Sequence, residues 1–177
     1  MKKIVLTMAL CLAMAAACNI SSAKNRLDNG RPLYRTAGYK GSVSFTDQLG
    51  VWVGFDTSHG YMFSPHHYLG AGVGMFAAPM DEIPSFFHFF AEYKAYFLEK
   101  NSTPTAGIRA GYCSSLQNLA GNTFSSAFEL APNIGWDWAF NSRLGMNLTL
   151  GAAVFMFGEN GTSNVKAMPK ITVGITF

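Results

Sequence analysis

Four histidines are the side chains best suited to catalysis in this sequence, because an imidazole can act as the general base for a serine nucleophile. They are His59, His66, His67 and His88, and serine and aspartate residues lie nearby in the chain. These residues could form a hydrolase triad, but no G-x-S-x-G element is present and the spacing selects no nucleophile. We therefore interpret the histidines as interfacial or interior side chains and predict no catalytic residues.

Two further patterns raise the question of a bound ligand. The adjacent pair His66-His67 lies beside a turn signal and could bind a metal ion, but neighbouring side chains on a strand point to opposite faces. The alternate glycines from Gly70 to Gly74 could suggest a phosphate loop, but the G-x-G-x-x-G pattern would need a glycine where Met75 stands. Their spacing is that of a strand, so we predict no metal site and no cofactor.

The first 23 residues have the features of a secretory signal peptide. Two lysines at the start precede an uncharged, mostly apolar stretch at residues 4–17, and small and polar residues follow to Ala23. The apolar stretch is shorter than the roughly 20 residues that a membrane-spanning helix needs. We therefore predict cleavage after Ala23, with Lys24 as the new N-terminus. Lipid attachment at Cys18 is the alternative, because the residues before it weakly resemble a lipobox.

The composition suggests a single domain whose surface does not all face water. Cleavage would leave Cys113 as the remaining cysteine, so no intrachain disulfide is expected. Cleavage would also reduce the basic residues from 13 to 11 against 10 acidic ones, and nothing indicates a nucleic-acid partner. Charged residues are 13% of the chain, whereas about a quarter is usual in soluble domains.

Apolar and polar residues alternate with a period of two in eight segments. In residues 39–46, for example, the odd positions are Tyr, Gly, Val and Phe, and the even ones are Lys, Ser, Ser and Thr. Such alternation predicts a strand with one apolar face. The segments are residues 39–46, 49–56, 69–75, 87–97, 105–113, 128–138, 144–152 and 170–177. We interpret the polar residues 24–38 before them as a periplasmic lead-in.

The connections between these segments alternate in length. The short ones are residues 64–66, 99–103 and 141–143, and the longer ones are residues 77–85, 116–123 and 158–165. Membrane barrels have short periplasmic turns and longer outer loops. The exception is residues 46–48, a short connection on the side that should carry long loops.

These patterns together predict an all-β protein, an eight-stranded antiparallel up-and-down transmembrane β-barrel at residues 39–177. Within a bilayer every backbone polar group must be paired, and a closed sheet of apolar-faced strands satisfies this requirement. An eight-stranded barrel has an interior that side chains fill, so we expect no open pore. We expect the charged residues of the inward face to form an interior network; they are Lys40, Glu92, Lys94, Arg109, Glu129, Asp137 and Lys170.

The segment from Tyr39 to Phe177 resembles the small outer-membrane β-barrel family of Gram-negative, Bacteroides-like bacteria. The most specific part is the end, residues 170–177, which looks like a terminal strand signal ending in an aromatic residue, with Val173, Ile175 and Phe177 on its apolar face. The resemblance implies a monomer in the outer membrane, with outer-membrane lipid and the barrel-assembly machinery as partners. It implies no catalytic residues.

A filled interior would place any specific function in the longer loops at residues 77–85, 116–123 and 158–165. We therefore expect a structural or surface-binding protein of the cell envelope and not an enzyme. Two alternatives remain at this stage. One is an outer-membrane enzyme that modifies lipids, and the other is a soluble periplasmic lipocalin-like barrel, in which the apolar face would be buried inside.

Overall fold

A computed structural model describes residues 27–28, 31–32, 35–49, 51–78, 85–115, 126–140, 144–159 and 162–177. The predicted signal peptide, residues 1–23, lies outside these residues, and so does Cys18. In the predicted lead-in, the short segments Leu27–Asp28 and Arg31–Pro32 pair in an antiparallel arrangement. Within the described ranges, no helix is both long enough and apolar enough to cross a membrane.

Eight antiparallel strands close into a barrel. The strands are β1 (Gly38–Gln48), β2 (Trp52–Ser64), β3 (His67–Ala77), β4 (Phe86–Tyr96), β5 (Ser102–Ser115), β6 (Ala127–Ala139), β7 (Gly145–Glu159) and β8 (Thr162–Thr176). Each strand pairs with the next one in the chain, and β8 pairs with β1 from Ile171 opposite Asp47 to Thr176 opposite Ser42. The predicted eight-stranded antiparallel up-and-down barrel is therefore confirmed.

The register of the strands sets the width of the barrel. We start at Gly38 on β1 and move, strand by strand, to the residue paired with the previous one. This path reaches Lys170 on β8. Because the next residue, Ile171, is opposite Asp47, this circuit returns to β1 at Gln48, ten residues beyond its start. A stagger of this kind tilts the strands by about 35–45° from the barrel axis, and eight such strands enclose an interior only wide enough for side chains.

The barrel is apolar outside and polar inside. Phe89, Ile134 and Ile175 each expose more than half of their surface on the outer wall, whereas Thr46 and Ser58 are fully buried inside. A water-soluble barrel buries its apolar face and presents its polar face to water. The arrangement here is the reverse, so the lipocalin-like alternative is wrong.

The two ends of the barrel differ in their connections. At one end, called the turn end below, β1 begins and β8 ends, and the strands are joined by residues 65–66, 97–101 and 140–144. At the opposite end, called the loop end, the connections are residues 49–51, 78–85, 116–126 and 160–161. Residues 79–84 and 116–125, which include most of two predicted functional loops, lie outside the described residues.

The first hairpin at the loop end differs from the sequence prediction. Residues 46–48 belong to β1 and do not form the connection, which consists of residues 49–51. Asp47 has a partner on each side, Val53 on β2 and Ile171 on β8, and these two ladders hold β1 in an extended conformation through Gln48. The chain reverses at Leu49, which has a positive φ of 46°.

The last hairpin also differs from the prediction. Residues 158–165, expected to form a long loop, lie mostly in β7 and β8, which remain paired as far as Glu159 opposite Thr162. Residues 164–167 are all exposed, so this part of β8 has no buried face. A period-two pattern needs one buried face, which explains why the sequence did not indicate a strand here.

Candidate functional site: the barrel interior

The barrel interior contains the charged residues that the sequence predicts for it. Alternation along each strand directs every second side chain inward. Six of the seven predicted residues are buried and Lys40 is half-buried; the six are Glu92, Lys94, Arg109, Glu129, Asp137 and Lys170. Direct contacts place six of the seven residues in three groups along the axis. The seventh, Lys94, is buried on β4 two residues after Glu92.

Arg109 is the centre of the middle group. Glu92 on β4 and Arg109 on β5 are direct cross-strand partners, and Arg109 Nε donates a hydrogen bond to Glu92 Oε2 over 2.8 Å. The same guanidinium reaches across the interior to Asp56 on β2, with 3.3 Å between Arg109 Nη1 and Asp56 Oδ1. One buried cation therefore neutralises carboxylates from two separate strands, and Phe90 packs against it with its ring centroid 4.6 Å from the guanidinium carbon.

Hydroxyl groups also donate hydrogen bonds to both carboxylates. Ser58 donates a hydrogen bond to Glu92 Oε1 over 2.5 Å, and its Oγ lies 2.8 Å from the Tyr68 hydroxyl. Thr46 donates to Asp56 Oδ2 over 2.9 Å. Buried charges are tolerated when they are both paired and hydrogen bonded, and the middle group meets both conditions.

The group nearer the loop end is built around Glu129 on β6. Lys170 Nζ donates a hydrogen bond to Glu129 Oε1 over 2.7 Å, and His88 Nε2 lies 2.9 Å from Glu129 Oε2. Cys113 Sγ lies 3.9 Å from the same Oε2 atom. Three adjacent strands and β8 thus place an imidazole, a thiol, a carboxylate and an ammonium together in the interior.

The group at the turn end closes the interior beneath Tyr96. Arg35, which precedes β1, forms an ion pair with Asp137 and donates a hydrogen bond to the carbonyl oxygen of Lys100. Lys40 Nζ lies 3.8 Å from Asp137 Oδ2 and donates a hydrogen bond to the Tyr96 hydroxyl over 3.1 Å. Both cations lie against the Tyr96 ring, so the aromatic side chain and the ion pairs together fill this end.

Three residues of these groups are absent from the predicted charge network: Asp56, His88 and Arg35. For Asp56 and His88 a signal was present, because each occupies an inward position of an alternating strand, and alternation alone could have included them. Arg35 lies before the first alternating segment. No periodic pattern marks it, and its contact with Asp137 depends on the closure of the barrel.

Aromatic side chains fill the interior above the loop-end group. Phe76, Phe86 and Phe155 are buried together, and Trp52 packs against them, with its ring centroid 5.4 Å from that of Phe86. Below them, two internal voids of about 10 Å³ each lie beside Arg109 and Lys40. A volume of this size holds one water molecule at most. The described part of the interior is therefore filled by side chains.

Known structures share this fold. The N-terminal β-barrel domain of Pseudomonas aeruginosa OprF matches with a TM-score of 0.55 and 12% identity, over 78% of this chain and 96% of that chain. A de novo designed transmembrane β-barrel matches with a TM-score of 0.52 and 14% identity, over 81% and 96% of the two chains. The designed barrel TMB2.3, solved by NMR, matches with a TM-score of 0.50 and 14% identity, over 80% and 94%.

The chain has the fold of an eight-stranded transmembrane β-barrel. No protein-family model matches the sequence. No curated protein matches it either. At identities of 12–14% the likeness establishes the fold. The predicted affiliation with Bacteroides-like bacteria remains a prediction.

The four histidines lie in different parts of the barrel. His59 contacts the hydroxyls of Tyr39 and Thr57 on the outer wall. At the turn end, His66 Nε2 lies 3.1 Å from a Glu99 carboxylate oxygen, and His67 Nδ1 lies 2.7 Å from the Tyr93 hydroxyl. The fourth, His88, lies in the loop-end group. None of the ring contacts described for these histidines is with a serine hydroxyl.

The C-terminal strand completes the wall. Val173 and Ile175 are exposed on the outer face, as the sequence predicts. Phe177 and Gly41 exchange two backbone hydrogen bonds of 2.9 and 2.7 Å, which join the end of the chain to β1. The role of Val173, Ile175 and Phe177 as an assembly signal remains a prediction.

Gly111 provides a test of how tightly the interior is packed. A Cβ atom added at Gly111 would overlap His88 Nε2 and the carbonyl oxygen of Phe89. Overpacking of this kind costs roughly 1–3 kcal/mol, so Gly111→Ala is expected to lower the free energy of unfolding by that amount, measured by urea titration in lipid vesicles. Ala110→Val, which adds volume to the outer wall beside Gly111, is the control. Equal losses in both variants would contradict the packing described.

Proposed function

We propose that this chain is an outer-membrane protein with a closed interior, which has a structural role in the envelope and presents a binding surface at its loop end. The observation that carries the proposal is the reversal of polarity, with aromatic and aliphatic side chains on the wall and paired charges inside. An apolar wall of this kind is stable against lipid acyl chains and unfavourable in water. Outer-membrane lipid is accordingly the proposed partner of the wall.

The filled interior favours this role over that of a channel. Arg109 spans the interior to bind carboxylates on two strands, and the phenylalanine cluster of Phe76, Phe86 and Phe155 covers the loop end. Conduction would require breaking buried ion pairs, which costs several kcal/mol per uncompensated charge. The loop end, where residues 78–85 and 116–126 connect the strands, is therefore the proposed site of any specific binding.

Planar-bilayer recording tests the closed interior. The protein, extracted from membranes and folded in detergent, is expected to insert without producing single-channel current steps. A wide porin recorded in the same bilayers shows that conducting barrels would be detected. Regular current steps from the protein itself would contradict the closed interior but not the membrane location. Recovery of the folded chain as a monomer in the soluble periplasmic fraction, without detergent, would contradict the location.

A further inference from the structure

Three potential metal ligands meet in the barrel interior below the phenylalanine cluster. They are His88 on β4, Cys113 on β5 and Glu129 on β6, and their donor atoms all lie within 4.8 Å of one another. His88 and Cys113 are direct cross-strand partners, while Glu129 lies two residues from Ala127, the partner of Cys113. The pairing of three consecutive strands thus holds the three side chains on one patch of the inner surface.

The hydrogen bonding of His88 is incomplete. Its side chain is only 1% exposed, yet neither ring nitrogen has a hydrogen-bond partner. The contact of 2.9 Å between His88 Nε2 and Glu129 Oε2 does not have the geometry of a hydrogen bond. Leaving a buried polar group without a partner costs about 1–3 kcal/mol. An ion between the two side chains would give His88 Nε2 a partner and would neutralise the facing oxygen of Glu129.

We propose that His88, Cys113 and Glu129 bind a divalent metal ion of the zinc type. Imidazole, thiolate and carboxylate are the three ligand types that Zn²⁺ takes from proteins. Zinc bond lengths of about 2.0–2.3 Å in tetrahedral geometry place neighbouring donor atoms roughly 3.3–3.5 Å apart. The observed separations from Glu129 Oε2, 2.9 Å to His88 Nε2 and 3.9 Å to Cys113 Sγ, lie on either side of this range. Shifts of a few tenths of an ångström would bring both of these separations into the range, and the third pair of donor atoms, on His88 and Cys113, lies within 4.8 Å.

The surroundings support ligation of a cation at this position. Lys170 binds the second oxygen of Glu129, so Oε2 remains directed towards His88 and Cys113. Such an outer partner orients a ligating carboxylate. Gly111, on the strand that carries Cys113, leaves room for the imidazole, because a Cβ there would overlap His88 Nε2.

The phenylalanine cluster determines how the ion would enter. Phe76, Phe86 and Cys113 belong to the same buried cluster on the loop-end side, so we expect the ion to be captured while the barrel folds. Three protein ligands leave a fourth position of the tetrahedron open, as in zinc sites that keep a water or another small ligand.

Cobalt substitution tests the site directly. The purified full chain is refolded in detergent with Co²⁺ or Zn²⁺ and dialysed against metal-free buffer. About one ion per folded chain is expected, and the cobalt form is expected to show the near-ultraviolet absorption of a cobalt–thiolate bond together with the visible bands of tetrahedral Co²⁺. Cys113→Ser is expected to abolish the thiolate band, and His88→Gln to lower the bound metal at least about tenfold. His67→Ala, which removes an exposed imidazole, is the control and should change neither quantity.

The possible outcomes separate the proposal from its alternatives. Metal retained equally by wild type and by Cys113→Ser would mean adventitious binding elsewhere and would overturn the site. Folded wild-type protein with neither bound metal nor a thiolate band would also overturn it. If the variants fail to fold, the wild-type protein alone decides. The refolded sample is treated with an alkylating reagent, which blocks the accessible cysteines of chains that remain unfolded. A cobalt–thiolate band that survives this treatment requires a buried cysteine ligand. None of these outcomes bears on the membrane location, which is tested separately.

Discussion

Arg109→Leu is expected to lower the free energy of unfolding by about 3–5 kcal/mol. The substitution removes a cation that contacts both Asp56 and Glu92, and it leaves two buried carboxylates without this ion-pair partner. Uncompensated charge in a medium of low dielectric constant is the source of the loss. Urea titration of the protein in lipid vesicles, followed by tryptophan fluorescence, measures it.

Two further variants identify the cause of that loss. Lys166→Leu removes the same charge from an exposed position on β8 and is expected to change stability by less than about 0.5 kcal/mol. Adding Glu92→Gln and Asp56→Asn to Arg109→Leu removes the unpaired charges and is expected to restore part of the stability. If the triple variant is as unstable as the single one, lost packing against Phe90 and not charge explains the effect, and the electrostatic argument fails.

Ala91→Arg is expected to destabilise the barrel by roughly 2–4 kcal/mol, the cost of a cation on the lipid face near the middle of the bilayer. Ala91 is exposed on the outer wall at the centre of β4, and its partners on either side are Ala71 and Ala110. These small neighbours leave room for a long side chain. The loss would therefore come from placing charge in hydrocarbon and not from steric overlap.

Ala91→Met separates charge from size. Methionine adds a long apolar side chain at the same position and is expected to change the stability by less than about 0.5 kcal/mol, as surface substitutions usually do. Thr149→Ser, on the inward face of β7, is expected to have a similarly small effect on the stability. A tolerated arginine at Ala91, measured in bilayers of normal thickness, would show that this wall does not face lipid.

The residues that face outward on the barrel wall can be predicted from local sequence, because their orientation depends only on the alternation of side chains along a strand. In a strand, neighbouring side chains point to opposite faces, so the pattern at residues 87–97 or 105–113 assigns each residue to a face without any knowledge of its partners. Ala91 and Ile108 are exposed and Glu92 and Arg109 are buried, as the alternation predicts. The number of strands, their antiparallel order and the filled interior followed from the same pattern and from the connection lengths.

The hairpins at the loop end required the three-dimensional structure. At residues 46–48 and 158–165, backbone pairing extends the strands beyond the point at which apolar and polar residue types cease to alternate in the sequence. Pairing of backbone amides depends on neighbouring strands and is indifferent to side-chain type. The sequence pattern therefore placed these strand ends incorrectly.

Which inward residues meet was decided by the tertiary structure. The sequence by itself determined that Glu92, Arg109 and Glu129 point inward, but the register of the closed sheet separates Arg109 from Glu129 and brings Asp56 to Arg109 instead. Pairing of β4, β5 and β6 unites His88, Cys113 and Glu129, and closure carries Arg35 to Asp137. The physical reason is that alternation specifies a face, whereas the height of a residue on that face depends on the stagger between strands and appears only when the barrel closes.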